Sequence, residues 1–280
     1  MELSTNIMGF YHRFGVHKTL DIFSEAGFRA VDFNTDQPEY YSLQHDRAFY
    51  EDLRAYAADR GIAFTQAHAP FGSSFFDPEK TARRFEEILQ SFRHCSWLGT
   101  EMVVVHPCNH KKYRDSNCWD EMMAYNLDFY RRLIPHARAC NLKIAIENIP
   151  GSVTDKPEGL IGLVDELNDP VFTVCFDVGH AHMMGLDAAD FIRKLGSRIG
   201  CTHIHDNNGS ADQHTLPYYG TVDWAAVTQA FADIGYDGNI SYEAACFIQK
   251  LPDGLCADAA KLMAQTGRHL ISCVRTPQQC

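Results

Sequence analysis

A set of side chains able to bind a divalent cation falls directly after short runs of β-forming residues. His68 follows AFTQA, His106 follows MVVV and Glu147 follows KIAI. Asp177 and His180 come after FTVCF, His203 and His205 close CTHIH, and Glu243 follows NISY. Asp212 and His214 lie in the loop just beyond the seventh run. Scattered histidines have no reason to choose the same end of so many strands, so the pattern points to one converging site. Imidazole and carboxylate together suit zinc, manganese, cobalt or iron, and the absence of cysteine from the set argues against a structural zinc site.

The elements that must position these donors alternate along the chain. The β-rich runs are LSTNIMGF, AVDFNT, AFTQAHAP, MVVVHPC, KIAIENIP, FTVCFDVGH, CTHIHDNN and NISYEAAC. Amphipathic stretches follow them, beginning with KTLDIFSEAGF and ending with ADAAKLMAQTGRHLISCV. DPEKTARRFEEILQSFRHCSWLG opens on an aspartate followed by proline, as helices tend to begin. Strand and helix in strict alternation predict an α/β fold, a (β/α)8 TIM barrel, as a single domain over residues 1–280. An open doubly wound sheet would normally carry a glycine-rich phosphate turn after its first strand, and this chain has none there. In a closed parallel barrel the C-terminal strand ends share one mouth, which is where active sites sit.

The chain has 280 residues and a formal net charge of -11. That charge repels a phosphate backbone and an anionic membrane surface, so nucleic acid and membrane are disfavoured as partners. The N-terminus lacks a basic stretch followed by an apolar run, and no apolar stretch reaches bilayer length, so a cytoplasmic protein is expected. The ten cysteines are scattered without a CxxC pair, which predicts reduced thiols. His12, His17, His45, His94, His110, His136 and His269 fall outside the strand-end pattern and are expected as surface or capping residues. His182 is expected to support the site from behind the ligands.

HAP at 68–70, HP at 106–107, EN at 147–148, DVGHAH at 177–182, HIHDNN at 203–208, DQH at 212–214 and YEA at 242–244 resemble the xylose-isomerase-like TIM barrel superfamily. That group holds sugar isomerases and epimerases and also endonuclease IV. In the isomerase branch the resemblance implies one divalent ion, Mn2+ or Zn2+ foremost and Co2+, Mg2+ or Fe2+ besides, held by Glu147, Asp177, His205 and Glu243. His205 is chosen over His203 because the family ligand lies three residues before an acidic or amide position, taken here as Asn208. In endonuclease IV three zinc ions are held by a larger set, which matches His68, His106, Glu147, Asp177, His180, His205, Asp212, His214 and Glu243. His68, His106, His180, Asp212 and His214 are therefore candidates for a second metal or for substrate contacts.

The resemblance implies a small-molecule sugar substrate, with or without a phosphate, and leaves room for a homo-oligomer. Glu147 and Glu243 would serve as the acid and base that move a proton on carbon beside a carbonyl, through a metal-stabilised enediolate. An abasic-site endonuclease and a keto-sugar or inositol dehydratase are the alternatives. The mouth loops FYHRFG, DFNTDQPEYY and FGSSFFDPE are aromatic and acidic rather than basic, which weighs against the endonuclease. Tyr218 and Tyr219 stand where the sugar branch commonly has Gly-Glu, and are expected either to stack on a sugar or to pack.

Overall fold

A computed structural model describes residues 1–35, 45–109 and 118–276. His110 and most of the DFNTDQPEYY loop lie outside the described residues. The strands are β1 (Leu3–Asn6), β2 (Ala30–Asn34), β3 (Ala63–His68), β4 (Met102–Val105), β5 (Lys143–Glu147), β6 (Phe172–Asp177), β7 (Ile199–His203) and β8 (Ile240–Tyr242). They form one sheet in the order β7-β6-β5-β4-β3-β2-β1-β8, and every recorded strand ladder is parallel. Ile204, just past β7, bridges Tyr242 of β8 in parallel, which joins the two ends of that order. The fold is the (β/α)8 TIM barrel that the alternation predicts.

Between the strands run α1 (Met8–Ala26), α2 (Arg47–Ala58), α3 (Pro78–Leu98), α4 (Trp119–Ala139), α5 (Pro157–Leu167), α6 (Val178–Met183), α7 (Ala188–Leu195), α8 (Trp224–Asp233) and α9 (Asp253–Arg275). Asp77 caps α3 by accepting from the backbone N–H of Lys80, with Pro78 at the first helical position. Two helices differ from the sequence expectation. α1 begins at Met8, well before KTLDIFSEAGF, and carries a non-helical residue at Gly15 (φ 70°) that splits its periodicity into two short pieces. α6 starts directly off β6 with Asp177 as its cap, where the sequence suggested only a turn.

The chain divides into two compact units. One comprises Met1–Phe33, Asp52–Thr65 and Phe176–Cys280; its core draws on Leu20 and Phe23 of α1, Phe191 of α7, Phe231 of α8 and Met263 and Leu270 of α9. The other comprises Asn34–Glu51 and Gln66–Cys175. There β4 and β5 are buried on both faces through Val103, Val104, Val105, Ile144, Ala145 and Ile146, which explains their continuous apolar runs. Phe92 of α3 and Phe129 and Leu133 of α4 are buried in the same unit, and Tyr130 donates a 2.8 Å hydrogen bond to the carbonyl of Val105.

His94 corrects the expectation of a surface residue. It is fully buried, stacked on Tyr50 with its Nδ1 3.0 Å from the tyrosine hydroxyl and its Nε2 2.7 Å from the Gln90 amide. Its position on the buried face of α3 overrides its polarity, because both ring nitrogens find partners. Among the cysteines, Cys95, Cys108, Cys118, Cys140, Cys175, Cys201, Cys246 and Cys256 are free thiols as expected, whereas Cys273 is disulfide-bonded.

The loop after β7 is organised by Asp206, which is fully buried. Its carboxylate accepts from the N–H groups of Asn207, Tyr218 and Val222 and from the Trp224 indole, at 2.8, 2.9, 3.1 and 2.8 Å. Its backbone exchanges two hydrogen bonds with Thr215. Replacing Asp206 with alanine strands these buried donors, each at about 1–3 kcal/mol. Urea unfolding of Asp206→Ala should therefore show a loss of roughly 3 kcal/mol or more, with Asp206→Asn less affected because its amide oxygen still accepts.

Candidate metal centre

In the first unit, the donors of β6, α6, β7, the following loop and β8 gather into two adjoining groups. Asp177 ends β6 with both oxygens buried, and one of them caps α6 by accepting from His180 N–H at 2.6 Å. His203 ends β7, fully buried. Its Nδ1 lies 3.5 Å from Glu243 Oε2 and 3.9 Å from Asp177 Oδ2. Its Nε2 lies 3.1 Å from Oδ2 of Asp32, a buried carboxylate of β2. Three carboxylate oxygens around one imidazole favour positive charge there, carried by a proton or by a metal ion.

The second group is His180, His205, Asp212 and His214, whose donor atoms lie within 4.8 Å of one another. Asp212 is its hub, 2.9 Å from His214 Nε2, 3.4 Å from His180 Nε2 and 3.6 Å from His205 Nε2. His205 is fully buried, and neither of its ring nitrogens makes a hydrogen bond, although Asp177 Oδ1 lies 3.1 Å from Nε2. A β-carbon on Gly179 would sit 2.0 Å from the His205 ring, so only glycine at the DVGH turn leaves the imidazole room. His205 and His214 stack at 4.1 Å.

His214 donates from Nδ1 to the carbonyl of Glu243 at 2.8 Å, on a backbone held at φ 43°. Burial alone would lower its pKa, but the hydrogen bond to Asp212 and the charges of Glu243, Asp212 and Asp177 hold it up at about 10. Burial would raise Asp212, but the hydrogen bonds and positive charge of His180 and His214 hold its carboxyl well below the usual carboxylate range. In this arrangement His214 and Asp212 form an ion pair wherever no cation replaces the imidazole proton.

The second unit holds His68, His106 and Glu147 in a third group. Glu147 ends β5 fully buried, and its Oε2 lies 2.8 Å from His106 Nε2 and 3.6 Å from His68 Nε2. His68 donates from Nδ1 to the carbonyl of Ala69 at 2.8 Å, which leaves Nε2 to face His106 Nε2 at 3.0 Å. Thr154 donates to the Glu147 carbonyl and Thr35 to the His68 carbonyl, both at 2.7 Å, fixing the two strand ends. Phe71, nearly half exposed, lies tilted against the His106 ring at 5.0 Å.

Every strand-end donor expected from the sequence therefore belongs to a compact group within its unit. The donor atoms of His203 group with those of Asp177 and Glu243, while His205, 3.1 Å from Asp177, groups with His180, Asp212 and His214. The reason is one of register: Asp206, not Asn208, is the buried acidic residue of the motif, and His203 stands three residues before it. Asp32 and Asp206 are buried carboxylates beside the site that the sequence reading did not single out. Asp32 lies within the AVDFN strand and Asp206 lies three residues past β7, both fully or almost fully buried. His182 is half-buried and pairs with Thr221 at 2.8 Å. Tyr218 (φ 75°) and Tyr219 are largely exposed; the first lies near Trp224 and His269, the second meets Phe247 edge-on at 5.2 Å.

An uncharacterised protein of Methanocaldococcus jannaschii is 32% identical over 236 residues, 80% of this chain and 78% of that protein. A D-psicose 3-epimerase of Enterocloster bolteae is 26% identical over 198 residues, 67% of this chain and 63% of the enzyme. A D-tagatose 3-epimerase-like protein shares the fold with a TM-score of 0.80 at 22% identity, over 98% of both chains. The model of the xylose isomerase-like TIM barrel family matches residues 20–268, and the chain belongs to that family.

Proposed function

We propose that this chain is a divalent-metal-dependent isomerase or epimerase of a sugar, plain or phosphorylated. The observation that carries the reading is the imidazole of His203 set against the carboxylates of Asp177 and Glu243, at or just past strand ends. The likeness to a D-psicose 3-epimerase supports the same chemistry. Asp177, His203 and Glu243 are the proposed ligands of one ion, and Glu147 joins them on the family resemblance alone. His180, His205, Asp212 and His214 are proposed to hold a second ion; three imidazoles and one carboxylate suit zinc, manganese or cobalt.

When bound, a divalent ion polarises the carbonyl and the neighbouring hydroxyl of a sugar as a Lewis acid. The rest falls to side chains. One of Glu147 and Glu243 takes the proton from the carbon beside the carbonyl, and the other returns a proton. His68, with Nδ1–H committed to Ala69 and Nε2 3.0 Å from His106, is proposed to face the substrate together with His106. A dehydratase would share the first step and differ by expelling a hydroxyl afterwards. The net charge of -11 weighs against a duplex substrate.

A sugar deuterated beside its carbonyl should lose label to solvent in a metal-dependent way. Glu147→Gln and Glu243→Gln, assayed at saturating metal with occupancy measured alongside, should slow that exchange by about 10²–10⁴-fold. Complete retention of label in a turned-over sugar, or full activity of a metal-loaded glutamine variant, would overturn the proton-transfer reading.

The His214–Asp212 pair generates a pH dependence in the metal-free protein. The folded pKa of His214, about 10, lies above its ordinary 6.5. Its contribution to stability is therefore complete below about pH 6.5 and lost as pH rises through about 10. Thermal unfolding in chelator should show this decline, and His214→Gln should flatten it. Loading Zn2+ at pH 7 should release a proton from His214, seen as a dependence of calorimetric heat on buffer ionisation enthalpy that disappears in His214→Gln.

A further inference from the structure

Asp32 contributes a buried charge that the chemistry above does not use. It sits on β2, opposite Asn6 of β1 in the ladder, and is 1% exposed. Its Oδ2 lies 3.1 Å from Nε2 of His203, which is 171 residues away in the chain. A buried carboxylate costs several kcal/mol unless a charge or a strong donor compensates it. An ionised carboxylate only accepts, so His203 Nε2 must donate. In a neutral imidazole this leaves the lone pair on Nδ1. That nitrogen faces Glu243 Oε2 at 3.5 Å and Asp177 Oδ2 at 3.9 Å, an arrangement that favours positive charge there, as a proton or as an ion.

We propose that Asp32 is a positioning residue that holds the Nε2–H of His203 and so turns its Nδ1 lone pair toward the ion. The inference rests on the metal reading above. It extends that reading to a residue on a strand that supplies none of the proposed ligands. A carboxylate behind a ligating histidine fixes the tautomer and ring orientation and raises the basicity of the ligand nitrogen. The AVDFNT strand therefore carries an aspartate at a buried position where a sheet would otherwise take an apolar residue.

The test is metal affinity, read apart from activity. Mn2+ and Zn2+ dissociation constants are measured by chelator competition for the wild type, Asp32→Ala, Asp32→Asn and Asp177→Asn. The visible spectrum of the Co2+-loaded proteins is recorded alongside. Asp32→Ala should bind about 10–100-fold more weakly and show an altered Co2+ spectrum. Asp32→Asn should fall between it and the wild type, because its amide oxygen still accepts from Nε2 without the charge. A merely structural role would instead lower the melting temperature of the metal-free protein and leave both readouts unchanged. Wild-type affinity and spectrum in a folded Asp32→Asn or Asp32→Ala, with Asp177→Asn impaired, would overturn the role of Asp32 and leave the metal reading standing. A wild type that takes up no ion would overturn both.

Discussion

The interior of this protein is built around buried carboxylates that must be compensated. Asp32, Glu147, Asp177 and Asp206 are each 1% exposed or less. A carboxylate taken out of water is tolerated only where charge or several donors meet it. Asp206 shows the structural solution, with three backbone N–H groups and an indole around it. Around Asp32, Glu147 and Asp177, histidine nitrogens within 2.8 to 3.9 Å share in the compensation, and Asp177 also accepts from the His180 backbone N–H. Imidazoles satisfy a carboxylate only in part, and they are themselves ligands.

The pleat of β7 explains why the histidines serve different groups. His203 and His205 are two residues apart, so both side chains leave the strand on the same face, about 6.6 Å apart along it. Ile204 between them makes the bridge to β8. His203 thus reaches Asp177 and Glu243, while His205 reaches Asp177 and Asp212. Asp177 turns one oxygen toward each histidine. A strand-end aspartate that also caps α6 has little freedom to do otherwise, since its Oδ1 is tied to the His180 N–H.

Most of this was legible in the sequence because two periodicities carry it. Continuous apolar runs such as MVVV and KIAI read as strands buried on both faces, and the residue after each run had to lie at the C-terminal end of a parallel strand. Local backbone exceptions hid the rest. Gly15 interrupts α1 and disguised its first two turns, and the helical pattern of VGHAHM is too short to register against the turn signal of DVGH. The choice between His203 and His205 is one of register. It depended on which acidic or amide residue anchors the loop, and three-dimensional hydrogen bonding, not spacing, singles out Asp206.

The loop that Asp206 anchors is also where the backbone departs from its comfortable states. His214 and Tyr218 both hold left-handed conformations, which cost a residue with a β-carbon about 1 kcal/mol or more. Such conformations persist only where the surroundings over-determine them. Here they do: Thr215 is paired in both directions with Asp206, the His214 carbonyl accepts from Cys246 N–H, and Tyr218 N–H is held by the Asp206 carboxylate. The same bonds that hold the strain therefore fix where Asp212 and His214 stand relative to His205. The hydrogen bonds of Asp206 thus do for the loop donors what the strand ladders do for Asp177 and Glu243. They set the position of each donor before any ligand arrives, so that little conformational freedom remains to be lost on binding.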